Sequence, residues 1–134
     1  SSLRLLWFIG IGCRVFSLRR DSIAERYYSM SGKTGLLHVV YFWLREDGTQ
    51  ADAEAIATGC KTHLVKIPTV LRLEAGFPAN TGRDVVDNSY GVCLLVEFKD
   101  IAGHDIYQDH PDHLAFIAEC HSHWSKVVVY DTLV

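Results

Sequence analysis

The stretch Leu36–Leu44, LLHVVYFWL, constrains the fold more than any other part of this chain. Its β-branched and aromatic residues favour a strand. Strand alternation sends His38, Val40, Phe42 and Leu44 to one face and Leu37, Val39, Tyr41 and Trp43 to the other. Both faces are apolar, so both need cover. Residues 90–98, YGVCLLVEF, repeat this signature. A fold built on these two segments therefore needs helices on one side of its sheet and a different cover on the other.

The intervening segments supply the helices. Asp47-Gly48 turns the chain, and Thr49 with Asp52 three residues later matches a capping pair. Ala53, Ile56, Ala57, Cys60 and Leu64 then recur at helical spacing, which predicts a helix over 50–66 ended by Pro68. Residues 70–75 read as a short strand and 77–89 (FPANTGRDVVDNS) as a polar, turn-rich loop. A short helix over 100–109, a second helical segment over 111–124 and a strand over 126–133 complete the chain. The order βαββαβ predicts an α+β, ferredoxin-like arrangement with an antiparallel four-stranded sheet. A second copy of the sheet is the simplest cover for the open face, which predicts a homodimer with a barrel-like core.

Charge narrows the partners. The 134 residues carry a net charge of −3, unevenly spread. Residues 1–29 hold five Arg against Asp21 and Glu25, net +3, while 30–134 hold eight basic and fourteen acidic residues, net −6. An acidic domain lacks the clustered Lys and Arg that phosphate neutralisation requires, so no nucleic-acid partner is expected. The apolar run over 3–18 is too short and too interrupted to span a bilayer, so no membrane partner is expected either. Residues 1–29 read as an N-terminal extension, a leader or upstream segment, with Asp21-Ser22 able to cap a helix over 23–30. The domain proper is then 30–134. Cys13, Cys60, Cys93 and Cys120 form no C-x-x-C pair, and Cys60, Cys93 and Cys120, each among apolar residues, read as small buried hydrophobes in a reducing compartment. A cytoplasmic location is expected, or an organelle if the Arg-rich start is a transit peptide.

The chemistry concentrates in Tyr107-Gln-Asp-His110-Pro111-Asp-His113. Pro111 suits a first helical position, and His110 before it reads as a cap or turn residue. His113 titrates in the range that serves a general base, and the Tyr107 hydroxyl can hold charge on a carbonyl oxygen. The structural alternative is that Tyr107 packs its ring and His113 braces the helix start. His38 is open in the same way. It is either a hydrogen-bonded core histidine or a polar group aimed into an apolar pocket. No helical metal site is expected. His113 and His121 share a stripe but stand about 12 Å apart along the axis, and His121 and His123 face different ways. Glycines 10, 12, 32 and 35 make no phosphate loop, so no cofactor is implied.

Three pieces together resemble the stress-responsive dimeric α/β-barrel (Dabb) domain family. They are Leu37-His38-Val-Val-Tyr-Phe-Trp, Ile67-Pro68-Thr-Val70 and Tyr107-x-x-His110-Pro111-x-His113-x-x-Phe116, with Val127-Val-Val-Tyr-Asp131 closing the domain. The resemblance covers about residues 36–133. It implies a homodimer with a cavity between helices and sheet in each subunit. One branch of the family, the plant polyketide cyclases of the olivetolic-acid-cyclase type, performs a cofactor-free aldol ring closure. There a Tyr and a His of this motif, with a His early in the first strand, line the pocket. The matching positions here are Tyr107, His113 and His38. The resemblance thus implies a stress-responsive homodimer that takes an apolar or polyketide-like small molecule. Two other readings stay open: a non-catalytic stress or assembly protein, and a cofactor-free monooxygenase on the same fold.

Overall fold

The computed structural model describes residues 32–134, together with Leu3, Arg4, Ser17, Leu18 and Ile23. The chain forms two units, Ser1–Gly32 and Lys33–Val134. In the first, Leu3–Arg4 pairs antiparallel with Ser17–Leu18, and Ile23 is helical. The remainder of the helix expected over 23–30, and Cys13, lie outside the described residues.

In the second unit the order is β1 (Leu36–Leu44), α1 (Gln50–His63), β2 (Val70–Gly76), β3 (Val92–Phe98), α2 (Ile101–Asp109), α3 (Pro111–Cys120) and β4 (Trp124–Leu133). The strands form one sheet in the order β2-β3-β1-β4, and every pairing is antiparallel. This is the α+β, ferredoxin-like arrangement expected from the βαββαβ order.

Two helix ends fall earlier than periodicity predicts. α1 stops at His63 and tightens into a 3₁₀ turn over Leu64–Lys66. Ile67 is extended, as the ring of Pro68 demands of the residue before it. α3 stops at Cys120 rather than 124. There the His121 ring Nδ1 donates to the Ile117 carbonyl at 2.9 Å, closing the last turn. Trp124 instead enters β4 opposite Leu44. Its ring packs on Phe42 (centroids 4.8 Å apart) and Phe116 (5.7 Å), so sheet packing overrides the helical repeat.

The core lies between α1, α3 and the inner face of the sheet. Leu36, His38, Val40 and Phe42 of β1 and Val92, Leu94, Val96 and Phe98 of β3 are buried there. Ile56 and Cys60 of α1, with Phe116 and Cys120 of α3, cover them. The two helices approach at Gly59, where a Cβ would stand 2.4 Å from the Cys120 Sγ. Cys60, Cys93 and Cys120 are free thiols. Asp52 ties the ends of the elements together. It accepts from the Thr49 N–H at 2.8 Å, from Arg45 Nε at 2.9 Å and from His123 Nδ1 at 2.8 Å. These bonds hold its carboxyl far below the usual carboxylate range, the Arg45 contact foremost.

The outer face of the sheet is less covered. Leu37, Val39, Tyr41 and Trp43 of β1, and Cys93 and Leu95 of β3, stay half-buried in the single chain. Tyr41 packs edge-on against Tyr90 (4.9 Å) and Tyr130 (6.2 Å). Among the described residues no helix is long and apolar enough to cross a membrane.

Candidate functional site

The break between α2 and α3 builds the site. His110 is extended, as a residue before proline must be, and Pro111 opens α3. His110 caps the new helix by accepting the Asp112 N–H on its Nδ1 at 3.1 Å. The reversal sets Tyr107, in the last turn of α2, beside His113, in the first turn of α3. Their ring centroids are 4.8 Å apart, edge to face. Tyr107 is 1% exposed and leans on Phe98 (5.0 Å) and His38 (5.7 Å). Asp100 caps α2 through the Gly103 N–H (2.8 Å), and Thr69 donates to the Gly103 carbonyl (2.8 Å), which anchors that helix to the chain entering β2.

His38 reaches the same place from β1. The three side chains singled out from the sequence, His38, Tyr107 and His113, line one cleft of about 180 Å³. Its walls are apolar, with Val40, Phe42, Leu94, Phe116 and Trp124 prominent, and Val127 and Val129 stand on the β4 side. His38 is 3% exposed and its Nδ1 lies 2.6 Å from the Asp131 Oδ1. It is thus both a hydrogen-bonded core histidine and a member of the cleft lining.

Burial sets the protonation states. It depresses His38, against the opposing hydrogen bond and charge of Asp131. It also depresses His113, aided by His38 and His104 and opposed by Asp109 and the backbone of Gln108. It raises Tyr107, which stays a phenol and so a donor. The His113 Nδ1 is buried with no hydrogen-bond partner. A neutral imidazole with an unengaged nitrogen beside a buried phenol can take a proton while the phenol holds negative charge on an oxygen.

Two residues of this neighbourhood escaped sequence reasoning. Asp131 faces His38 through the strand register, as its direct Cα partner across β1 and β4. His104, one turn before Tyr107 on α2, places its ring 4.9 Å from that of His38. The other histidines lie elsewhere. His63 pairs with Glu119, His121 closes α3, and His123 holds Asp52.

Residues 36–134 match the model of the stress responsive A/B barrel domain. The chain belongs to this family. No curated protein matches it. Solved structures share the fold. A Dabb family protein with a ferredoxin-like fold from Mesorhizobium loti is 24% identical over 76% of this chain and 98% of its own, with a TM-score of 0.62. A dimeric protein of unknown function from Bacteroides fragilis is 20% identical over 75% of this chain and 96% of its own, also at 0.62. A hydroxynitrile lyase from Passiflora edulis is 17% identical over 76% of this chain and 94% of its own, again at 0.62. In this Dabb domain the match begins at β1 and runs to the end of the chain. It therefore contains every residue of the cleft.

Proposed function

We propose that this Dabb domain works as a homodimer through its outer sheet face. Each subunit would hold a small apolar or polyketide-like molecule in the helix–sheet cleft and perform cofactor-independent acid/base chemistry on it. His113 is the proposed general base, Tyr107 the donor to the developing oxyanion, and His38, held by Asp131, the polar group that orients the substrate oxygen. The observation that carries this reading is the convergence of these three side chains on one apolar cleft. The unpartnered His113 nitrogen supplies the base.

The cleft volume limits the ligand. About 180 Å³ is below the roughly 300–1,000 Å³ of sites for drug-sized molecules. A single phenolic ring fits inside, with any tail running over Ile117, Val127 and Val129, which are 37%, 40% and 45% exposed. A protein named as a hydroxynitrile lyase has the same fold, which supports a reading that includes chemistry. The dimer part of the reading rests on the half-exposed apolar outer face and on solved structures of the same fold described as dimeric.

The test is binding and turnover together. Wild type and His113→Ala are titrated with alkyl phenols by calorimetry, then assayed for aldol ring closure of a linear polyketide thioester. The proposal expects wild type to bind and to close the ring, and His113→Ala to lose turnover. Equal phenol affinity and equal turnover in the two proteins would remove His113 from the chemistry. Absence of both in wild type would favour the non-catalytic assembly reading.

A further inference from the structure

We propose that His38, His104 and Asp131 form a binding site for one divalent transition-metal ion beside the cleft. One ring nitrogen from each histidine and one carboxylate oxygen lie within 4.8 Å of one another. The three come from three elements, β1, α2 and β4, so the fold rather than local sequence assembles them. His38 is fixed by the sheet register opposite Asp131, and His104 sits on a helix capped by Asp100.

The donor set selects the class of ion. Two imidazoles and one carboxylate suit zinc, cobalt, nickel or ferrous iron, whereas magnesium and calcium prefer all-oxygen shells. Ligand bonds of about 2.0–2.2 Å put tetrahedral donors roughly 3.4 Å apart, so the wider pairs must close while the 2.6 Å His38–Asp131 hydrogen bond opens and gives up its proton. The side chains able to move are the outer ones, since Asp131 is 41% exposed and His104 14%, against 4% for His38. Three protein ligands leave a coordination position for water or a substrate oxygen. One supporting contact is also present. His104 Nδ1 lies 3.3 Å from the Asp105 Oδ1, which leaves Nε2 as the ligand nitrogen; the ion would displace the Gln108 amide that Nε2 now accepts from at 3.0 Å. A carboxylate against the second ring nitrogen is the usual brace of a metal-bound histidine. The second imidazole stands 4.9 Å from the first, its ring also packed edge-on against Phe98 at 5.6 Å.

This site shares His38 and Asp131 with the proposed function but leaves the proposed base and oxyanion donor, His113 and Tyr107, untouched, so cobalt binding and ring closure test the two readings separately. The full chain, stripped with a chelator, is titrated with Co²⁺ at pH 7.5 and followed by visible absorption and calorimetry. One ion per chain with d–d bands is the expected result. His104→Ala and Asp131→Asn should each weaken binding at least about tenfold, the lower end of what even supporting contacts contribute. His121→Ala, at the far end of α3, should bind as wild type does. If His104→Ala fails to fold by circular dichroism, Asp131→Asn decides alone, because its amide keeps a hydrogen bond to His38. No stoichiometric binding, or wild-type affinity in the folded variants, overturns the site. Phenol binding by a protein that takes up no cobalt would overturn it too, while leaving the proposed function intact.

Discussion

Replacing His113 by Phe separates chemistry from packing at the centre of the cleft. The His113 Nδ1 is buried without a partner, and such an orphan costs about 1–3 kcal/mol. Phe removes that cost and keeps the edge contact with Tyr107, whose ring centroid lies 4.8 Å away. The extra ring atom has the cleft beside it to occupy. Against this, the pull of the Gln108 backbone on the ring is lost, at most the about 0.5–1.5 kcal/mol of a neutral hydrogen bond. Gln108 also lines the cleft, where water can replace the imidazole. The balance is a gain of about 1 kcal/mol. For a domain of this size that raises Tm by about 4–8 °C. Calorimetric melts at pH 7.5 and one fixed protein concentration check it, since a dimer's Tm shifts with concentration. The same variant should be inactive in ring closure. A His113→Phe protein that melts several degrees below wild type would refute the argument. It would mean that the imidazole nitrogen is engaged and that His113 braces the fold.

The depressed histidines predict acid sensitivity in a defined window. His38 and His113 both have folded pKa values below the ordinary 6.5, so the unfolded chain binds their protons first. Stability should hold above about pH 6.5 and fall below it, by at most about 1.4 kcal/mol per pH unit for each histidine. The loss from Asp52 begins near the ordinary carboxylate pKa of about 3.9 and is complete only below its depressed folded value, so it lies under this window. Urea melts from pH 8 to 5 test this, and a flat midpoint across that range would contradict it. On the outer face, Val39→Arg places an unpaired charge among Leu37, Tyr41 and Leu95. Sedimentation equilibrium should then report half the wild-type mass with an unchanged circular dichroism spectrum. A dimer that survives this substitution does not use the sheet face. At the rim of the cleft, Val129→Thr exchanges one methyl for a hydroxyl at a site 45% exposed. It should leave Tm nearly unchanged and weaken phenol binding about fourfold, the equivalent of about 0.8 kcal/mol for one methyl-sized group. Undiminished affinity would take the tail of the ligand off β4.

Most of the fold was legible because two periods alternate cleanly along the chain. Period two in LLHVVYFWL and YGVCLLVEF set the central strands, and the 3.6 repeat from Ala53 to Leu64 set α1. Tyr107 and His113 were legible because Pro111 fixes a turn, so seven residues of sequence determine their relation. His38 was legible as the polar member of an apolar face. Asp131 and His104 were not. Asp131 stands opposite His38 only through the register of β4 on β1, and register depends on packing rather than on local spacing. His104 shares a helix face with Tyr107 at i, i+3, but nothing in the sequence places α2 over the start of β1. The helix ends at His63 and Cys120 were missed for a related reason. The pull of the sheet on Trp124 and the constraint of Pro68 on Ile67 outweigh periodicity.

The cleft follows from the position of β4 at the sheet edge. On the inner face, burial falls from β3, where Val92, Val96 and Phe98 are 0% exposed, through β1 to β4, where Val127 and Val129 are 40% and 45% exposed. This gradient separates neutral from charged chemistry. His38 and Tyr107 sit at the dry end, where burial keeps the imidazole unprotonated and the phenol intact. The Asp131 carboxyl sits at the wet end, 41% exposed, where solvent reaches it and no enclosed charge has to be buried. The valines at the edge then need an explanation of their own. The proposed dimer covers the opposite face of the sheet, so it does not bury them. A ligand in the cleft buries them, and does so next to the groups proposed to act on it.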